Sequence, residues 1–283
     1  MPAAARFMWR NLINEISSVT LTATSATVPV ANLAHHQLGK AWRTSGVAEE
    51  SVTIDLGTTS EIVRVVAVAG HNLRSGASVE VLQSSDGANF TSVASINPFV
   101  GTTGFGEGGF GEGGFGGGII SITGEVQAIV MLFFAALTKR YWRITLRDAG
   151  NADTFIKVGR IFLGDYWEPA AQIMRQWSVE VIDETSIEKS IGGQKWRNIR
   201  NSFNRVSFRL PHLSKSEAIE NFLNFARRIG SKDSMFVSLF PDGSVTLKAV
   251  TNLYGKFVQA PGISGPAISI YDTGEVLFES DQT

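Results

Sequence analysis

Only one stretch of this 283-residue chain repeats its apolar residues at helical spacing. Ile219, Phe222, Leu223, Ala226 and Ile229 fall on one face of a helix, while Glu220, Asn221, Asn224, Arg227 and Arg228 take the other. Ser214 followed by Glu217 forms a capping box, in which each side chain satisfies a free N–H of the first turn. Arg227 and Arg228 suit the negative end of the helix dipole, and Gly230 supplies the stop. Val206, Phe208 and Leu210 alternate with polar residues before this helix, as a strand ending at Pro211 would. Met235–Phe240 follows as a second strand, closed by the turn Pro241-Asp242-Gly243. The other signals in the chain are those of strands, so the expected class is all-β with a single α-helix.

The length suits one large or two ordinary domains, and 43% hydrophobic residues supply the cores. A formal net charge of −1 gives no global field toward nucleic acid or an anionic membrane. The absence of cysteine excludes disulfides, thiolate metal sites and a thiol nucleophile. The opening MPAAARFMWRNLINEIS lacks the apolar core of a signal peptide. The most apolar run, Ala128–Leu137, is far shorter than the roughly 20 residues that span a bilayer. The expectation is a soluble or assembled species made in the cytoplasm, with no membrane insertion and no nucleic-acid partner.

Residues 1–29 are read as an N-terminal arm, although Val19, Leu21 and Ala23 already alternate as a strand would. Then come Ala41-Trp42-Arg43, the strand Val52–Gly57 and the near-continuous apolar strand Ile62–Ala69, which ends in Gly70-His71-Asn72-Leu73. Val79 and Val81 with the turn Ser84-Ser85-Asp86-Gly87, then Arg140–Leu146, then Gly159–Gly164, complete the series. Short strands with turn residues at short intervals argue a β-sandwich. In order and spacing, residues 30–165 resemble the discoidin, or galactose-binding-like, jelly-roll domains, without that family's usual disulfide. The resemblance implies a binding module for glycans or lipids, using loops at one end of the sandwich. The candidate loops are His71-Asn72-Leu73-Arg74 and Ser84–Gly87. Trp42, Tyr141 and Trp142 are read as core, and His71 as closing a strand end.

A glycine-rich insert spans residues 101–118, with GFGEGGFGEGGFGGG at its centre. It carries no G-K-[ST], and Glu107 and Glu112 would repel phosphate, so it is not a phosphate-binding loop. Two readings stand: a surface spacer, or an extended loop whose Phe105, Phe110 and Phe115 insert into a neighbouring subunit.

In the second half, Trp177, Val179 and Val181 alternate as a strand. Ile187–Ile191 and Gln194–Ile199 flank Gly192-Gly193 as a hairpin. Val245, Leu247 and Ala249 read as continuing the sheet, Leu253–Phe257 as a further strand, and Ile268/Ile270 with Val276/Phe278 as a last hairpin around Asp272-Thr273-Gly274. With Lys195-Trp196, the capped helix, Phe236–Pro241 and Tyr254–Phe257, residues 166–283 resemble the ring-forming domain of siphophage distal tail proteins. That resemblance implies a β-barrel or sandwich with one lateral helix, assembled as a hexameric ring. The order of the two domains is reversed relative to that family. Ala218 and Phe225 widen the helix's apolar stripe beyond what one sheet face needs, and the tip of the hairpin Ile187–Trp196 can reach a neighbour, so the helix and the anchor pair Lys195 and Trp196 are expected near contacts between copies.

No catalytic constellation stands out. His35-His36 are adjacent, His71 and His212 are isolated, and neither G-x-S-x-G nor H-E-x-x-H occurs. No enzyme activity, cofactor or metal is expected. The reading reached is a structural component of a bacteriophage tail tip or baseplate, a hexameric ring in the virion contacting tail-tube and hub proteins. The alternatives are a lectin-like protein binding host surface glycans and a subunit of a polysaccharide-degrading enzyme.

Overall fold

A computed structural model describes residues 4–57, 61–74, 76–98, 128–174, 176–189, 192–267 and 270–281. The fold is all-β with little helix, and its first half is a β-sandwich. The larger sheet orders five antiparallel strands as Thr20–Ala23, Glu50–Asp55, Tyr141–Arg147, Ser78–Ser84 and Thr91–Ile96. The facing sheet orders Arg160–Gly164, Ile62–Ala69 and Ile129–Thr138. The period-two alternation of strands sorts the side chains. Val52, Ile54, Trp142, Ile144 and Leu146 meet Val66, Val68, Val130, Ile161 and Leu163 in one core.

The three-stranded sheet is buried on its outer face as well. There Val65, Ala67, Ala69, Met131 and Phe162 pack on Met8, Phe236 and Tyr254 of the second half. Burial on both faces explains why Ile62–Ala69 is a near-continuous apolar run. Among the described residues the outer face of the five-stranded sheet has no such cover, and it is polar.

The second half is a six-stranded sheet in the order Arg6–Met8, Met235–Ser238, Asn252–Phe257, Val276–Ser280, Phe203–Phe208, Ser178–Ile182. Among the described residues its two edge strands do not pair with each other, so the sheet is open and no barrel closes. The helix packs Ala218, Phe222, Phe225 and Ile229 into the same cluster as Phe7, Val206, Phe208, Val237 and Phe278. Phe225 touches the rings of Phe7, Trp9, Trp167, Phe222 and Phe257. The apolar surplus expected to face a neighbouring copy is therefore absorbed inside the subunit. Ala218 is 0% and Phe225 1% exposed, and of the stripe Ile219 alone counts among the exposed large apolar residues.

The capping box is formed. Ser214 Oγ donates to Glu217 Oε2 at 2.7 Å and accepts from Glu217 N at 3.3 Å, and Ser214 N donates to Glu217 Oε2 at 3.0 Å. Beyond it Ser216–Leu223 is π-wound, and Asn224–Ile229 is α-helical. Ser214→Ala is expected to cost about 1 kcal/mol in urea unfolding, the usual worth of such a cap.

Two elements differ from expectation. Val245–Thr251 is an α-helix, not a strand, because Ser244 caps it by accepting from Leu247 N at 3.3 Å. The last hairpin joins Ile263–Ala267 to Ile270–Thr273, with Ile268 outside the described residues. Val276–Ser280 instead runs between Asn252–Phe257 and Phe203–Phe208, where Val276 and Phe278 are buried.

Residues 4–23 enter both halves. Arg6–Met8 pairs with Met235–Ser238, and Thr20–Ala23 with Glu50–Asp55. Between them Asn11 caps the short helix Leu12–Glu15. Its Nδ2 donates to the Ile161 carbonyl at 2.8 Å, and its Oδ1 accepts from Leu163 N at 3.2 Å. Among the described residues no helix is long and apolar enough to cross a membrane.

Candidate functional site

The open face of the five-stranded sheet forms a groove of about 440 Å³. Its lining follows from the pleat. Where Val52, Ile54, Trp142, Ile144 and Leu146 turn inward, their neighbours Ser51, Thr53, Arg143, Thr145 and Arg147 line the groove, with Thr22 and Thr24 on one side and Leu82 on the other. Register places Thr53 beside Arg143, Ser51 beside Thr145, and Leu82 on the far side of Arg143.

Two of the nearby arginines are neutralised. Arg147 Nε donates to Glu49 Oε2 at 2.9 Å and its Nη1 to Glu80 Oε2 at 2.8 Å. The Arg147 hydrogen bond, helped by one from Ser92, holds the Glu80 carboxyl below its ordinary range. At the end of the face, Arg140 makes two bonds to Asp55, at 2.7 and 2.9 Å. Arg143 is different. Its Nε donates to Thr53 Oγ1 at 3.1 Å, and its guanidinium carbon sits 3.7 Å from the centroid of the Phe90 ring. Among the described residues no carboxylate pairs with it.

The Arg140 bonds, with a further one from Gly57 N, depress the Asp55 pKa. A depressed folded pKa contributes stability above the unfolded value and loses it as pH falls through the folded one. The melting temperature of the wild type is therefore expected to fall more steeply than that of Asp55→Asn between about pH 5 and pH 3. Parallel curves would show that the pair contributes nothing.

The loops singled out in the sequence do not make one site. His71–Arg74 precedes the strand Ser78–Ser84 and Ser84–Gly87 follows it, so they lie at opposite ends of the sandwich. Each is tied up within the chain. Asn72 Nδ2 donates to Asp153 Oδ2 and the Phe155 carbonyl, both at 3.0 Å, and Arg74 N donates to Asp148 Oδ2 at 2.9 Å. His71 Nδ1 accepts from Leu73 N at 3.3 Å, as a residue closing a strand end does. Asp86 Oδ1 accepts from Ser84 Oγ at 2.7 Å and from Ala88 N and Asn89 N at 2.9 Å, which holds its carboxyl well below the usual range.

Trp42 and Trp142 are fully buried, as read from the sequence, so neither is a platform for a sugar; Tyr141, also read as core, is instead half-buried, because it alternates with the inward Trp142. Phe105, Phe110 and Phe115 lie outside the described residues. Lys195 and Trp196 lie on the hairpin formed by Ser186–Lys189 and Lys195–Asn198, with Trp196 opposite Glu188. Trp196 does not fold back onto its sheet: it is 66% exposed. Neither it nor Lys195 approaches the groove. Among the described residues no group of three His, Asp or Glu could hold a metal ion. Sequence reasoning missed Arg143, Thr145, Ser51 and Thr53. Their signal was the alternation Arg143-Ile144-Thr145-Leu146-Arg147, polar on one face of a strand whose other face is core.

No protein-family model and no curated protein matches the chain. Solved structures with a similar course include carbohydrate-binding modules and, over a minor part of their length, glycosidases such as a GH29 fucosidase from Ruminococcus gnavus. Chitosan-binding module 1 of a chitosanase/glucanase from Paenibacillus sp. IK-5 is 17% identical, with 56% of this chain and 100% of that one covered and a TM-score of 0.39. The module CpGH89CBM32-5 from Clostridium perfringens, solved with GalNAc-β-1,3-galactose, is 16% identical over 52% of this chain and 95% of its own, TM-score 0.35. The CBM32 module of AlyQ, solved with 4,5-unsaturated mannuronic acid, is 23% identical over 51% and 92%, TM-score 0.34. With scores this low, the sandwich rests on its own sheets and register. None of the three is a tail-tip protein.

Proposed function

We propose that the chain is a non-catalytic glycan-binding protein. The observation that supports it is the groove on the one outer face of the sandwich that the second half leaves open. Its size lies within the roughly 300–1,000 Å³ typical of small-molecule sites. The hydroxyl of the exposed Thr22 both donates and accepts, as a sugar's hydroxyls do, above a floor that includes the buried Ser51 and Thr145. Leu82 offers an apolar flank for a sugar's C–H face. Glycoside hydrolysis needs a carboxylic acid able to give up a proton. Here Arg147 binds both Glu49 and Glu80, and Glu80 is held ionised. The groove thus suits binding and not turnover. The test is the full chain on a glycan array, beside Thr22→Trp, which places a bulky ring at the mouth of the groove from an exposed edge strand. Binding by the wild type that falls about tenfold or more in the variant, with melting unchanged, is the expected result. A wild type that retains no carbohydrate overturns the proposal.

A second reading is the subunit of a cyclic assembly, in its specific form a sixfold tail-tip ring. One observation favours it: large apolar side chains exposed on the hairpin and on the edge strand Ser178–Ile182. Val181, Ile187, Trp196 and Ile199 are 59–78% exposed, and every strand residue of the hairpin carrying Ile187 and Trp196 is exposed. A lone two-stranded ribbon is marginal in water. Ser178–Ile182, which carries the exposed Val181, is an edge of the six-stranded sheet, so the occupant argued for is a second copy, which adds to that edge in a head-to-tail contact. Light scattering on the full chain should then give a multiple of the subunit mass that drops in Trp196→Ser. A wild-type monomer at high concentration would sink this reading.

A further inference from the structure

We infer that the groove selects sugars bearing a carboxylate, and that Arg143 is the residue that recognises it. The inference rests on the glycan-binding reading and adds the ligand's chemical class. Of the arginines on this face, Arg140 and Arg147 spend their charge on Asp55, Glu49 and Glu80. Arg143 lies on the same strand, lines the groove, and meets no carboxylate among the described residues. Its one hydrogen bond there runs from Nε to Thr53 Oγ1, which leaves both terminal nitrogens without an acceptor among the described residues.

The side chain is nonetheless held in place. Phe90 supports the guanidinium plane from one side and Thr53 fixes its Nε edge. A planar cation fixed in this way, with paired donors free, matches the two oxygens of a carboxylate in a bidentate contact. Because the protein has already restricted the rotamer, less entropy is lost on binding. Ser51 and Thr145 are the next pair on the same face, two residues further along the same two strands, on the side where the ring of the same sugar unit would fall. A polyanion such as nucleic acid is disfavoured, because Glu49 and Glu80 cancel the charge of Arg147 and leave Arg143 alone among the groove's described arginines to meet an anion. The ligand class is therefore a uronic-acid or sialic-acid type glycan, taken up one carboxylate at a time.

The experiment is calorimetric titration of the full chain with two matched oligosaccharides, one ending in glucuronic acid and one in glucose. The wild type should prefer the acidic sugar by about 10- to 100-fold, the usual worth of a charged bidentate contact. Arg143→Gln should erase that preference, so that the variant binds the acidic and the neutral sugar alike. Arg143→Lys, which keeps the charge and loses the fork, should recover only part of it. If the wild type binds both sugars equally, or Arg143→Gln keeps the preference, the inference fails and the glycan-binding reading survives. If neither sugar binds and the array is blank, the reading itself fails. The wild-type comparison needs no variant, so a misfolded Arg143→Gln would not rescue the idea.

Discussion

Replacing Gly255 by alanine should unfold the six-stranded sheet, at a cost on the order of 4 kcal/mol or more. Gly255 sits in the strand Asn252–Phe257, opposite Ser280, where the backbones approach closely. A Cβ added there would lie 2.7 Å from the carbonyl carbon of Glu279 and 2.8 Å from the Cα of Ser280, and would collide with the Glu279 carbonyl oxygen. These are backbone atoms of a paired strand, so relief requires moving the ladder and not merely a side chain. Tyr254 and Phe257 on the same strand are fully buried, which leaves little room for that movement. Urea unfolding of Gly255→Ala followed by far-UV circular dichroism is the measurement. A variant within 1 kcal/mol of wild type, on the order of an ordinary surface change, would show that the strands can separate freely there.

Trp42→Ala should destabilise the sandwich by roughly 3–5 kcal/mol, the usual cost of deleting a large buried ring. Trp42 is 0% exposed and belongs to the sandwich core with Leu33, Val158 and Ile156. Its Nε1 donates to the Ser25 carbonyl at 3.0 Å, and its backbone pairs with Val158, so the ring ties the long connection before Glu50 to the end of the sandwich. The second sheet has its own core, so the transition is expected to split and only one part to move. Near-UV circular dichroism and tryptophan fluorescence against urea separate the two. Unchanged melting with lost glycan binding would instead make Trp42 a ligand platform.

What the sequence made legible was local. The alternation of Val52 with Ile54 and of Trp142 with Ile144, the Ser214–Glu217 capping box and the Gly192-Gly193 hairpin each depend on neighbours within a few residues. Gly193 takes a φ of +83°, a left-handed conformation that a glycine adopts without penalty. What stayed hidden depended on partners brought in from afar. Phe225 looked surplus because Phe7, Trp9 and Trp167, which surround it, lie in distant parts of the chain. The groove was invisible for the same reason. Thr53 and Arg143 are 90 residues apart, and no local pattern says which outer face of a sandwich the rest of the chain will cover. At Val245–Thr251 two local signals competed. Apolar alternation suggested a strand, but Ser244 after the Asp-Gly turn offered a helix cap, and the cap prevailed.

The placement of Arg6–Met8 has a consequence for synthesis. These residues leave the ribosome long before their sheet partner Met235–Ser238 is made. Meanwhile the sandwich can close, and Asn11 can lock onto Ile161 and Leu163 as soon as that strand emerges. The early strand is then held beside an unfinished neighbour, its apolar Phe7 waiting for a seat. Folding is thereby ordered in time, and the nascent chain carries an unpaired edge that invites chaperone capture. The same stitch makes the second half a poor candidate for isolation. A fragment starting at residue 167 would lack the edge strand, expose the flank of Met235–Ser238 and leave a hole where Phe7 sits, so its aggregation would report the missing strand and say nothing of a ring.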